Sequence, residues 1–479
     1  MVLSPLDYAV ITGYLLAITA FGSYFARFQK TTRDYFLTGR SVPGWAICCT
    51  VVATETSTLS FIGVPAQSYA GNMTFLQLVL GYIVGRFIVS LLFLPAYFRG
   101  ELLTSYELLQ RRFGGPVKNL SAVVFLLTRS LADGVRLYAT ALVISVVTQT
   151  NVTLIVLVLG AAMIVYTMRG GVAAVIWTDV VQLFVYVAGA LIVFFSLLGS
   201  IDGGFGAVLE AGRAADKFRV FDFALDATRV YTFWAGLLGG IALTLATHGT
   251  DQFLVQRLLA GRSLRDAAAG LVASGFVVFA QFVLFLVIGV MLYTYYQQTP
   301  LPVPLERNDE ILSIYVVHSL RNGAAGFIVA AIVAAALSPS INSMAATTIN
   351  DFYLKYVRPD ADEARLLYLS KVATVFWGVV QIGVAIAAQK MEQGVLDAGL
   401  SVLSLATGAV LGAFVLGTLR PQTGATAMMI GMLAGLLAMV GVWGFTSIAW
   451  TWYTLIGATV TVVVALAAAP LVRPQPAAA

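Results

Sequence analysis

A glutamate set among hydroxyls inside an apolar run is the first group in this sequence that could do chemistry. In 51-VVATETSTLSFIGVP-65, Glu55 stands with Thr54, Thr56, Ser57, Thr58 and Ser60 between stretches bound for a bilayer. Hydroxyls alone would bond back to the preceding turn of a lipid-embedded helix. The carboxylate is different, because an ionisable side chain at membrane depth is costly and marks a pathway or a site. It needs a partner, a proton or a cation. Gly63 and Pro65 follow closely and let the helix unwind, which would expose backbone oxygens at mid-membrane.

Four more stretches carry candidate groups. In 126-LLTRSLADGVRLYATAL-142, Arg129, Asp133 and Arg136 fall at i, i+4 and i+7, on one helical face. One Arg–Asp pair makes a structural clasp. The second arginine leaves a surplus positive charge, suited to an anionic group that accepts two parallel hydrogen bonds from a guanidinium. Clasp and anion site both stay open. In 170-GGVAAVIWTDVVQLF-184, Asp179 lies well inside the membrane beside Thr178 and Gln182. It is either hydrogen-bonded structure or a ligand for a coupling ion. In 244-TLATHGTDQFLVQRLLAGR-262, His248 is a packed core residue or a proton relay. Asp251 and Arg257 are expected near the inner interface, salt-bridged across a gate. In 330-AAIVAAALSPSINSMAATTINDFYLKYV-357, Ser338, Ser340, Asn342 and Ser343 line the inner half of a span, an arrangement that suits close packing equally well. There is no Gly-Lys dipeptide, hence no phosphate-binding P-loop, and no H-E-x-x-H. An enzyme is not expected.

The elements that must position these groups follow from composition. The chain has 479 residues, 59% hydrophobic and only 11% charged, whereas soluble domains carry about 25% charged residues. That leaves an integral membrane protein. The net charge of +5 is not gathered into basic clusters interleaved with aromatics, so nucleic acid is excluded as a partner. Cys48 and Cys49 are adjacent, without metal-ligand spacing, and read as small apolar residues. The first apolar run lacks a small-residue cleavage site and reads as a retained span. A transmembrane helix needs about 20 apolar residues. On that measure there are about thirteen spans: 7–27, 44–69, 74–98, 119–149, 152–168, 171–198, 230–256, 266–296, 324–356, 366–389, 395–417, 424–444 and 449–472. The fold class is all-α and polytopic, with no separate soluble domain. Eighteen Lys and Arg fall in loops on one side and seven on the other. This places the N-terminus outside and the C-terminus in the cytoplasm, with a bacterial inner membrane as the expected location.

Six segments in order, 34-DYFLTGRSVPGW-45, 61-FIGVPAQSYAG-71, 103-LTSYELLQRRFG-114, 170-GGVAAVIWTDVVQ-182, 249-GTDQFLVQR-257 and 340-SINSMAATTINDF-352, resemble the sodium:solute symporter family. The resemblance implies a leucine-transporter-like fold: two inverted five-helix repeats, 44–198 and 230–417, each with a broken first helix. One extra span would precede them in 1–43 and two would follow in 424–472, all within one transporter domain, 1–479. Sodium, the coupling ion, would be held by the carbonyls of Ala53 and Thr56. The family's hydroxyl ligands fall on Ala335 and Ala336, a departure that leaves Ser338, one turn away, or Glu55 to supply the missing oxygen. Asp179 matches the family's Trp-Thr-Asp motif, where relatives hold a second sodium or a structural carboxylate. Ser57, Ser60, Gln77, Thr244, Thr247 and His248 fall on or near cavity-facing positions, with Arg129 and Arg136 as solute anchors. The sugar-transporting branch carries a glutamate on its third span, and 76-LQLVLGY-82 has no acid. The wording 340-SINSMAA-346 is similar to the branch that carries monocarboxylates. The expectation is an inward sodium gradient driving uptake of a small organic anion, without a cofactor. Proton coupling, a neutral solute, a gated channel and a non-transporting sensor are the alternatives.

Overall fold

Long apolar runs can satisfy their own backbone in lipid only as helices, and the computed structural model is helical throughout. It describes residues 4–25, 35–36, 38–99, 102, 104–148, 150–336, 340–390, 395–419 and 423–471. Among these the only β-type pairing is a single bridge between Val42 and Gly261.

The chain runs through α1 (Pro5–Tyr24), α2 (Gly44–Glu55), α3 (Thr58–Ala70), α4 (Leu76–Leu92), α5 (Gly115–Thr148) and α6 (Val152–Ser200). It continues through α7 (Phe233–Gly249), α8 (Gln252–Leu259), α9 (Leu264–Gln298), α10 (Ala324–Ala336) and α11 (Ile341–Thr347). The last elements are α12 (Glu363–Ala388), α13 (Val395–Leu419), α14 (Ala425–Phe445) and α15 (Tyr453–Ala468). The spans read from the sequence all have helical counterparts, and three of them are interrupted. α2 and α3 form one span bent by 63°. The span 230–256 is cut between α7 and α8, where Asp251 caps α8 by accepting from Phe253 N. The stretch 324–356 ends in a π-helical segment, Thr348–Val357. α6 holds two spans joined at Gly171, whose φ of 57° and ψ of −159° are open to glycine at little steric cost.

The breaks are held in place reciprocally. The first broken helix, α2–α3, packs on α9, while the second, α7, packs on α4. Each repeat's broken helix thus lies on the second helix of the other repeat, as an inverted pair requires. Close approach comes from small residues. A Cβ on Gly81 would sit 2.5 Å from the carbonyl oxygen of Leu237, and one on Gly240 would sit 2.4 Å from that of Leu78. α14 and α15 lie against α13 and against each other, outside this core.

Candidate functional site

A cavity of about 100 Å³ lies where the two broken helices meet. Thr54, Glu55 and Ser57 reach it from the first break, and Thr247, His248 and Phe253 from the second. Of the expected solute residues, Ser57, Ser60, Arg129, Arg136, Thr244, Thr247 and His248 all line it. Gln77 does not, and that expectation is corrected. Its amide nitrogen donates to the carbonyls of Thr74 and Tyr231, and its oxygen accepts from Asp222 N, at 2.9–3.1 Å. A primary amide satisfied on three sides by loop backbone has been drawn away from the cavity to clasp the 222–231 loop.

Each of the two breaks leaves a main-chain oxygen open. At the first, Thr56 N donates to Val52 O at 2.8 Å and Ser57 N to Glu55 O at 3.0 Å. The helical bond that Ala53 O would have received is thereby lost. Among the described residues no N–H reaches the carbonyls of Ala53 or Thr56. At the second break Asp251 N turns back to Ala246 O at 3.0 Å, so among the described residues no N–H reaches Thr247 O, the counterpart of Ala53 O, while the oxygens of Gly249 and Thr250 are covered. Tyr97 Oη donates to Gly249 O, and Ser105 Oγ to Thr250 O at 3.0 Å. Bare main-chain oxygens, hard ligands of the kind sodium takes, thus lie at both breaks, and at the first they include Ala53 O and Thr56 O. Thr58 Oγ1 ties it to α10 by donating to Ile332 O at 3.1 Å, and Thr140 Oγ1 donates to Thr58 Oγ1 at 2.7 Å. Ser338 and the side chains of Ala335 and Ala336 lie outside the described residues.

Every buried charge around the cavity has a counter-charge. Glu55, expected to face a cation, is instead ion-paired with Arg86 of α4. Beyond Arg86, the imidazole of His248 lies near it, with Nε2 at 3.8 Å. Arg129 pairs with Asp251 and lies 3.6 Å from Asp133. Arg136 is 3.8 Å from the same Asp133. The surplus positive charge read from α5 is thus corrected: Asp251, delivered by the second break, supplies the missing acid. Asp179, read as an ion ligand, has its Oδ2 held by Thr50 Oγ1 at 2.5 Å, Thr54 Oγ1 at 3.4 Å and Arg257 Nε at 3.3 Å. Arg257 and Asp251 do form salt bridges, as expected, but both are buried in the core. The guanidiniums of Arg129 and Arg257 also lie over the ring of Phe253, at 4.5 and 4.3 Å.

The family model of the sodium:solute symporters matches residues 35–435. The chain belongs to the sodium:solute symporter family. It is 31% identical to the sodium/sialic acid symporter NanT of Aliivibrio fischeri, over 98% of this chain and 94% of that one. It is 29% identical to the sodium-coupled monocarboxylate transporter 1 of Xenopus laevis, over 90% and 70%. The structure of a Na+-coupled sialic acid symporter in its substrate-bound, outward-open state superimposes with a TM-score of 0.92. That match is at 27% identity and covers 98% of this chain and 99% of that one. Mhp1, a nucleobase-cation-symport-1 transporter, matches at a TM-score of 0.62 with 14% identity, a likeness of fold. The chain is accordingly a multi-pass membrane symporter, not an enzyme. It couples sodium to an organic solute.

Two features of this symporter escaped the sequence. Arg86 is fully buried in α4; it was visible as a lone arginine in 76-LQLVLGYIVGRFIVSLL-92, but its partner was not. Asp397, at the start of α13, accepts from Gln67 Nε2 (3.1 Å), Tyr231 Oη (2.6 Å) and Trp450 Nε1 (3.1 Å). It ties α13 to α3, to the approach to α7 and to the approach to α15. Leu396, Gly399, Leu400 and Leu403 of the same helix wall the cavity, and two wider recesses, of about 390 and 420 Å³, meet Gln67 and Asp397 from the far side.

Proposed function

We propose that this symporter carries a small organic anion, a carboxylate, inward with sodium across the cell membrane. The observation that supports this best is the cavity itself, which Arg129 and Arg136 line together with Thr54, Glu55 and Ser57 of the first break. Arg136 is the solute anchor. Its Nε and Nη1 are buried without a hydrogen-bond partner, and its nearest carboxylate stands at 3.8 Å. A guanidinium so placed has donors to spare for a carboxylate. Arg129 is largely committed to Asp251 and forms the wall below. Ala53 and Thr56 offer sodium their carbonyls, with the end of α10, near Ala335, Ala336 and Ser338, as the other side of that site. Ser57, Ser60, Thr244, Thr247 and His248 provide the remaining polar surface for the solute. Relatives named for sialic acid and for monocarboxylates share a carboxylate in their cargo.

The whole chain is one transporter domain, with 44–198 and 230–417 as its repeats. Its N-terminus lies outside and its C-terminus in the cytoplasm, as the loop charges require. On that orientation Asp397 latches the outer mouth. Rocking of one helix bundle against the other exposes the site to each side in turn, and sodium favours the outward state by binding it better.

Purified protein in proteoliposomes should accumulate an acidic solute when an inward sodium gradient is imposed. A proton gradient alone should not drive it. Arg136→Gln should lower the specificity constant for an acid by about tenfold or more, the cost of a charge-assisted hydrogen bond. Accumulation driven equally well without sodium would overturn the coupling. Asp397→Ala removes the acceptor of three donors, so a Leu400→Cys reporter should react faster with an impermeant thiol reagent added from outside. An unchanged rate would mean Asp397 is not the latch.

A further inference from the structure

We infer that Glu55 and His248 form a subsite that takes a hydrogen bond from a hydroxyl of the solute, so that the cargo is a short hydroxycarboxylate. The inference rests on the reading above that the cargo is a carboxylate.

It starts from one proton. Thr247 Oγ1 donates to Leu243 O at 2.9 Å and lies 2.9 Å from His248 Nδ1. A threonine hydroxyl has a single hydrogen. With that hydrogen on Leu243, the contact to Nδ1 has the hydroxyl accepting, and Nδ1 carries the ring proton. In a neutral imidazole Nε2 is then an acceptor. Nε2 is buried, has no hydrogen-bond partner among the described residues, and faces Glu55 Oε2 across 3.8 Å. An ionised carboxylate only accepts. Two acceptors thus confront each other at the edge of the cavity: Glu55 Oε2 is met by Arg86, whereas His248 Nε2 has no donor among the described residues. Leaving a buried acceptor such as Nε2 unmet costs about 1–3 kcal/mol, so the site selects a ligand that brings an O–H or N–H.

The charges decide which. Glu55 is already neutralised by Arg86, and Arg129 and Arg136 share the same cavity wall. An ammonium at this end would set a further cation beside the guanidiniums of Arg86, Arg129 and Arg136, whereas a hydroxyl adds no charge. Thr244 Oγ1, one turn before His248 on α7, is also buried without a partner. It can donate to the same hydroxyl, so the solute O–H would both give and receive. Size limits the rest. The cavity holds about 100 Å³, less than the roughly 150 Å³ that accommodates benzene. The solute that fits has a short skeleton, with its carboxylate on Arg136 and its hydroxyl on the Glu55–His248 pair.

The test uses the full chain in proteoliposomes with an inward sodium gradient and four acids: lactate, propionate, malonate and N-acetylneuraminate. Lactate should exceed propionate in specificity constant by at least about tenfold, since a site built around a hydroxyl rejects the analogue that lacks it. His248→Phe should bring that ratio close to one. Should His248→Phe not fold, the wild-type ratio decides by itself. A wild-type ratio near one would overturn the subsite while leaving sodium-driven carboxylate uptake intact. A preference for malonate would show a charged, donating imidazole, and a preference for N-acetylneuraminate would overturn the size limit. Sodium-independent behaviour with all four acids would bring down the functional reading itself, and this inference with it.

Discussion

Arg86→Met is expected to destabilise the protein by about 3–5 kcal/mol, because it leaves the Glu55 carboxylate buried without its counter-charge. The side chains are 31 residues apart in sequence and meet across α2 and α4. Glu55→Gln should cost a similar amount, for then the guanidinium is the orphan; Nε and Nη1 of Arg86 already lack partners. The double substitution Glu55→Gln/Arg86→Met removes both charges and should recover most of the loss. The measurement is the midpoint of unfolding in detergent for the wild type, both single variants and the double. Additive losses in the double variant would show that the two groups do not act as a pair. Transport should remain impaired in every one of these variants, since Glu55 faces the cavity as well as Arg86.

The second large effect belongs to the glycine seam between α4 and α7. Gly240→Val places a side chain within contact of backbone, not of a flexible neighbour: Leu78 O lies 2.4 Å from the new Cβ and Gly81 Cα lies 3.1 Å from it. The helices must separate, at a cost of about 1–3 kcal/mol or more. α7 carries Leu243, Thr244, Thr247 and His248, so a shift of α7 moves these four residues of the cavity wall. The expected outcome is loss of monodisperse protein or, where protein is recovered, loss of sodium-driven uptake. Gly441→Ala is the control: nothing lies within 4 Å of its new Cβ, and both readouts should hold. Full activity in Gly240→Val would mean the seam is not needed to set the site.

Much of this was legible in the sequence because it is local. Spans follow from runs of apolar residues, and the unwinding after Glu55 follows from a carboxylate among hydroxyls, whereas Gly63 and Pro65, read as loosening the helix, lie inside α3 and not at the break. The pairings were not legible because they are remote. Arg129 and Asp251 are 122 residues apart, and reading α5 alone leaves Arg136 looking like an excess charge. Glu55 read alone looks like a cation ligand; only the packing of α4 on α7 and α9 brings Arg86 to it. Gln77 sits on the helix whose Tyr82 lines the cavity, yet the 222–231 loop competes for its amide and wins. Asp397 carried no signal, since one acid near the end of an apolar helix has many ordinary explanations.

Around the cavity, Arg86, Arg129, Arg136 and Arg257 are matched by Glu55, Asp133, Asp179 and Asp251. An elementary charge moved through 100 mV changes its energy by about 2.3 kcal/mol. These eight groups sum to zero, so a membrane potential finds no net fixed charge here to pull on when the unloaded carrier reorients. Voltage is left to act on what the protein carries, and each translocating step would take its electrical character from the ions aboard.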